Sequence, residues 1–307
     1  MIRAFHADGF AAEIGEHVMP MRKFALVKDR ILARGLPALV QEPAPATDEQ
    51  LLRVHTREYL DAIRTGQPRA LAESQKFPWS PGLAASVRLT NGAAVAAVSA
   101  ALDEGVACAL ASGYHHAHAD HGEGFCTFNG LVVALEEAWA NERIERALIL
   151  DLDLHYGNGT ASLLATRGHF HALSIYGSWY EKNQASSDVT TRRAEDTENA
   201  RSVAVPNGAD GAAYLALIRG ALGAAIERVR PDLLLYQAGA DPYREDPYST
   251  LDLGLEDLAA RDAFVFETAR AAKLPIAWVL AGGYTKDLGK VVEVHANTFA
   301  EAARAFG

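Results

Sequence analysis

An α/β fold, a single three-layer α/β/α domain around a mostly parallel sheet, is predicted by two patterns in the sequence. Apolar runs of strand length recur along the chain, and segments of helical period separate them. The runs are apolar throughout and do not alternate with polar residues, as befits strands covered by helices on both faces.

Taken in order, Leu83 to Glu104 reads as an Ala-rich helix with few breakers, and Val106 to Ala111 as a buried strand. Phe128 to Arg143 has separate apolar and charged faces at helical spacing, and the strands Ala147 to Leu152 and Phe170 to Tyr176 follow. The polar stretch Glu181 to Ala200 reads as a long surface loop. Beyond it come a helix over Ala212 to Val229, a strand over Asp232 to Ala238, a helix over Leu255 to Lys273 and a strand over Pro275 to Ala281. No repeat, low-complexity tract or linker divides the chain, so residues 1–307 are expected to form one domain. At 49% hydrophobic composition a chain of 307 residues can bury a core of that size.

Composition excludes several classes. Cys108 and Cys126 form no C-x-x-C pair, which argues against a disulfide framework or a cysteine zinc site and for a reducing compartment. No stretch approaches the ~20 uninterrupted apolar residues that span a bilayer, and MIRAFHADGF lacks the pattern of a signal peptide. A cytoplasmic protein without membrane association is expected. The formal net charge of -10 argues against direct nucleic-acid binding and is compatible with a cationic or neutral substrate, though it also serves solubility.

Four polar clusters, Ser112–His118, Asp151–Thr160, Gly239–Asp246 and Ala281–Lys286, each follow an apolar strand run. In a parallel sheet all four emerge at the carboxyl edge, where ligand and catalytic groups gather. Asp151, Asp153 and His155 fall at every second position, so on an extended chain they face one way. Asp153 and His155 can then offer an oxygen and an imidazole nitrogen to one metal, whereas capping of the next helix would explain only a single Asp. A catalytic site with three protein ligands needs one more. Asp241, approached through Gly239-Ala240, is the better candidate, and Asp246 is the alternative although its Asp-Pro context suits a turn. The adjacent His115 and His116 suit proton transfer, with His118 and His121 expected behind the site or in solvent. Gly282 and Gly283 permit a turn that delivers the Tyr284 phenol as an oxyanion donor, although the same sequence could start a helix.

Together His115-His116, Gly124-Phe125-Cys126, Asp151-x-Asp153-x-His155-x-Gly157-Asn158-Gly159, Gly239-Ala240-Asp241 and Gly283-Tyr284 resemble, in order and approximate spacing, the motif set of the zinc-dependent histone deacetylase superfamily. Gly92-Ala93, Leu51-x-x-Val54-His55-Thr56-x-x-Tyr59-Leu60 and His17-x-x-Pro20-Met21-x-Lys23-Phe24 extend the resemblance across nearly the whole chain, toward class IV deacetylases and bacterial histone deacetylase-like amidohydrolases.

The resemblance implies an arginase-like fold with Asp153, His155 and Asp241 as metal ligands, zinc or ferrous iron as the ion, and Tyr284 as carbonyl polariser. It makes His116 the general base and acid, and His115 its electrostatic and hydrogen-bonding partner. Gly124 and Phe125, with Gly283, would line an acyl-lysine tunnel, and Asp151 and Ser174 would hold a structural potassium or sodium ion.

Two positions depart from many members. Tyr156 stands where a second histidine is common, and Asn158 where some carry an acid paired to the catalytic imidazole. An asparagine orients His116 without the charge that would stabilise its cationic form, so the ring should be less basic. Tyr176 to Tyr180 offers aromatic candidates for the wall facing Phe125.

The implied reaction is hydrolysis of an acyl amide, with acyl-lysine of peptides or proteins as first substrate class and an acylated small amine such as an acetylpolyamine as the second. A catalytically silent metal-containing binding protein is the rival outside enzymes, against which the intact histidine pair, ligands and tyrosine speak. Oligomeric state and acyl-chain length leave no mark in the sequence.

Overall fold

A computed structural model describes residues 1–177 and 197–307. Among them eight strands form one sheet: β1 Ile2–Phe5, β2 Ala38–Gln41, β3 Val106–Ser112, β4 Ala147–Asp151, β5 Phe170–Tyr176, β6 Ala200–Ala204, β7 Leu233–Ala238 and β8 Ile276–Leu280. Their order is β2-β1-β3-β8-β7-β4-β5-β6, and every pairing is parallel. The helices are α1 Lys23–Ala33, α2 Asp48–Leu52, α3 Arg57–Thr65, α4 Arg69–Ala72, α5 Pro81–Glu104, α6 Gly130–Ala140, α7 Asn158–Leu164, α8 Gly211–Val229, α9 Leu255–Ala271 and α10 Leu288–Phe306. This is the expected three-layer α/β fold.

The strands legible in the sequence are β3, β4, β7 and β8, buried along their whole length, and β5, buried except at His171. Not legible are β1, β2 and β6, which have four or five residues each, and β2 and β6 lie at the sheet edges with partly exposed side chains. The loop drawn from Glu181 to Ala200 therefore ends too late, because Ala200 already pairs with Ala172; residues 181–196 lie outside the described set.

Helix α5 is long and apolar enough to cross a membrane by length and composition alone, yet 61% of that window is buried. It packs on β3 and α6 as a core helix does. The Ser80 hydroxyl accepts from Leu83 N, Pro81 opens the helix, and Gly105 closes it in the left-handed region. At its middle, a Cβ on Gly92 would lie 1.9 Å from the Ala44 carbonyl oxygen, so only glycine lets that segment cross.

What this architecture does for function is adjacency. β3, β8, β7 and β4 are consecutive in the sheet, with Ser112 level with Leu280, Leu280 with Ala238, and Asp151 with Gln237. The four polar clusters thus leave neighbouring strands at one edge.

Beneath that edge, Arg261 of α9 is fully buried. Its guanidinium donates to the Gly239 carbonyl at 2.7 Å and to Asp262 at 2.8 Å, and Asp262 also accepts from Tyr236 and Thr298. Removing one partner strands the other charge in the core. Arg261→Met is expected to cost about 3–5 kcal/mol, read as a lower urea midpoint; an unchanged midpoint would show that the network carries no net stability.

Candidate active site

Asp153, His155 and Asp241 meet at the carboxyl edge, each offering a ligand atom within 4.8 Å of the others. His155 Nδ1 lies 3.2 Å from Asp153 Oδ1 and 3.1 Å from Asp241 Oδ2. Backbone amides fix both acids: Asp153 accepts from His155 N at 2.9 Å and Gly282 N at 2.8 Å, and Asp241 from Leu154 N at 3.0 Å. The loop carrying Tyr284 approaches so closely that a Cβ on Gly282 would sit 1.9 Å from Asp241 Oδ2.

Two carboxylates and an imidazole in this arrangement fit a divalent cation. Burial, and then the charge of Asp153, push the Asp241 carboxyl up, whereas hydrogen bonds to the two acids outweigh burial and raise His155. Side-by-side buried acids call for a positive partner. Asp246 is not in this group; its carboxylate accepts from Tyr284 N at 2.6 Å and Tyr248 N at 3.1 Å, the turn role its context suggested.

The His115 and His116 rings lie with centroids 4.0 Å apart, tilted by 48°, and both are buried, but in opposite electrostatic settings. His115 Nδ1 faces Asp151 Oδ2 at 2.7 Å; burial opposes its cationic form, but Asp151 and Asp153 prevail and raise its pKa. His116 Nδ1 faces Asn158 Oδ1 at 2.6 Å, and burial, then His115 and His155, drive its pKa well down. Asp151 also accepts from Asp153 N and pairs in register with Ser174, whose buried hydroxyl has no partner among the described residues. That orphaned oxygen beside an acid fits a small monovalent cation.

The motifs outside the edge hold this loop. The His55 ring bridges the His118 carbonyl oxygen at 2.9 Å and Asn129 N at 3.0 Å, which makes Nδ1 its donor and Nε2 its acceptor. Tyr59 donates to the Thr127 carbonyl at 2.7 Å. Lys23, fully buried, donates to the Ala281 carbonyl at 2.5 Å.

Phe125 stands at the mouth against His17 and Phe77, with ring centroids at 4.7 Å and 5.6 Å. Of the aromatics expected opposite it, Tyr176 is buried against Tyr156, and Trp179 and Tyr180 lie outside the described residues. Tyr248 is the exposed ring at the site, 5.2 Å from Tyr284 and 6.0 Å from His155. It went unnoticed in sequence because its Asp-Pro-Tyr turn carries no periodic signal. Glu123 also went unnoticed, although it precedes Gly124 directly.

A parallel sheet with this cluster at its carboxyl edge defines the class, that of the arginase- and deacetylase-like α/β proteins. The histone deacetylase domain matches residues 17–299, and the chain belongs to that family. It is 31% identical over 294 residues to an uncharacterised protein of Picosynechococcus, covering 95% of this chain and 94% of that one. It is 31% identical to the histone deacetylase-like amidohydrolase of Pseudomonas aeruginosa over 277 residues, covering 85% of this chain and 70% of that one. In three dimensions it resembles the acetylpolyamine aminohydrolase of Burkholderia pseudomallei, with TM-score 0.79, 21% identity and 98% of each chain covered, which is a likeness of fold.

Proposed function

We propose that the chain is a metal-dependent amidohydrolase of one domain, residues 1–307, that removes acyl groups from acyl-lysine of peptides or proteins in the cytoplasm. The observation that carries this reading is the buried Asp153, His155 and Asp241 donor set beside a histidine whose pKa is driven down. Zinc or ferrous iron held by these three would supply Lewis acidity toward an amide carbonyl and a water. His116, neutral at physiological pH, takes the proton from water and returns it to the departing amine. His115, held by Asp151, orients and polarises the site beside it. The Tyr284 hydroxyl donates to the carbonyl oxygen as charge develops there. Phe125 and Tyr248 line the way in, with Gly124 and Gly283 leaving room for the acyl-lysine stem, and Asp151 with Ser174 holds potassium or sodium.

An acylated small amine is the second reading, favoured by the full-length likeness of fold to an acetylpolyamine aminohydrolase. Both are tested together. The purified protein should carry about one catalytic divalent ion per chain and hydrolyse an acetyl-lysine peptide faster than an acetylpolyamine. Asp241→Ala should lose ion and turnover together. Undiminished metal by elemental analysis in that variant would remove Asp241 as a ligand, and a preference for the acetylpolyamine would replace the first substrate class with the second.

A further inference from the structure

The loop from Glu123 to Cys126 is a tight turn closed by Cys126 N on the Glu123 carbonyl at 2.8 Å and Glu123 N on the Cys126 carbonyl at 3.2 Å. Its central residues, Gly124 and Phe125, have φ of 52° and 65°, the left-handed pair of a type I′ hairpin turn. A Cβ on Gly124 would press within 2.4 Å of the His116 ring, so the turn lies directly on that imidazole. One geometric unit therefore carries Phe125 to the mouth and the Glu123 side chain to the back of the site.

There Glu123 Oε2 accepts from Asn158 Nδ2 at 2.7 Å, while Asn158 Oδ1 faces His116 Nδ1 at 2.6 Å. The same Oε2 faces His118 Nε2 at 3.3 Å, which itself lies 3.4 Å from Asn158 Nδ2, and His118 Nδ1 meets the Ser162 hydroxyl at 2.7 Å. The hydrogen bond from His118, then that from Asn158, hold the Glu123 carboxyl below the usual carboxylate range, so it is ionised and can only accept.

An amide has two ends of opposite character. With its NH₂ committed to a carboxylate, Asn158 can turn only its oxygen toward His116. That oxygen cannot donate, so His116 Nδ1 must carry the proton and the neutral ring keeps its lone pair on Nε2. If the amide turned over, its NH₂ would face Nδ1, and the ring would take the other tautomer with Nε2 protonated and useless as a base.

We propose that Glu123 is a positioning residue that locks the Asn158 amide and through it the tautomer of His116, replacing by one further hydrogen bond the acid that this chain lacks at position 158. The proposal rests on the reading of His116 as the base.

The experiment uses the zinc-loaded protein and three variants. Glu123→Ala should lower kcat about 10–100-fold, the scale on which a hydrogen-bonding partner behind a functional imidazole acts, with KM and metal content unchanged. Glu123→Gln, which still offers a carbonyl oxygen to Asn158, should keep most of the activity. Glu123→Lys, which can only donate, should fall below Glu123→Ala. Two-bond ¹⁵N imidazole spectra should show the Nδ1-protonated form of His116 in wild type and Glu123→Gln, and a shift away from it in Glu123→Lys. Wild-type kcat in Glu123→Ala, a change confined to KM, a Gln variant as impaired as Ala, or an unaltered tautomer in Glu123→Lys would each overturn the proposal. If His116→Ala retains full turnover, the reading of the base fails instead, and the spectra still report whether Glu123 sets the tautomer.

Discussion

His116→Ala lowers turnover by about 10⁴-fold at every pH, the upper end of what a positioned acid–base group supplies, while His115→Ala leaves measurable activity. The two rings differ in what faces their Nδ1 atoms. His115 has a carboxylate, and against the effect of burial Asp151 and Asp153 raise its pKa and so favour its cationic form. His116 has a neutral amide, and burial followed by the charges of His115 and His155 keeps it deprotonated. A base works without its proton, so kcat/KM declines as pH falls through its pKa. Because that pKa is depressed, the acidic limb should lie below the ordinary 6.5 of an imidazole. His115→Ala deletes one of the depressing charges, so the same limb should move toward higher pH. A limb that stays in place, or a His116→Ala variant as active as His115→Ala, would remove the division of roles.

The part of the site legible in sequence is the part built from local geometry. Asp151, Asp153 and His155 are two apart on a chain leaving a strand, and a period of two suffices to put them on one side. Asp241 and Gly282 required one assumption, that their strands neighbour β4 and β3 in a parallel sheet, and the order β3-β8-β7-β4 meets it. The residues that escaped notice owe their positions to contacts between distant segments. Glu123 reaches Asn158 across 35 residues, and Arg261 reaches Gly239 from helix α9. Each sits in a stretch whose composition suits an ordinary helix or turn. The strands β1, β2 and β6 leave little trace for a related reason: β4 and β8 are no longer than β6 but are buried throughout, whereas β2 and β6 are partly exposed edge strands and β1 has only four residues, one of them an arginine.

Tyr284→Phe keeps the fold and the metal while kcat falls by about 10²–10³, the scale of losing one oxyanion donor. The backbone at this residue is set independently of its hydroxyl, since Tyr284 N donates to Asp246 at 2.6 Å and Gly283 takes a φ of 137° just before it. A phenylalanine ring can keep the contacts with Phe125 and Tyr248, whose centroids lie 6.3 Å and 5.2 Å away. What disappears is one proton donor. Burial, followed by the charges of Asp241 and Asp153, pushes the phenol well above its ordinary pKa, so at neutral pH the group is a donor and not a phenolate. An interaction that strengthens as the carbonyl oxygen gains charge lowers the barrier without tightening ground-state binding, so KM should change little. Measured on an acetyl-lysine peptide, unchanged turnover would exclude Tyr284 from the reaction. Loss of metal by elemental analysis would place it among the supports of the ligand set instead.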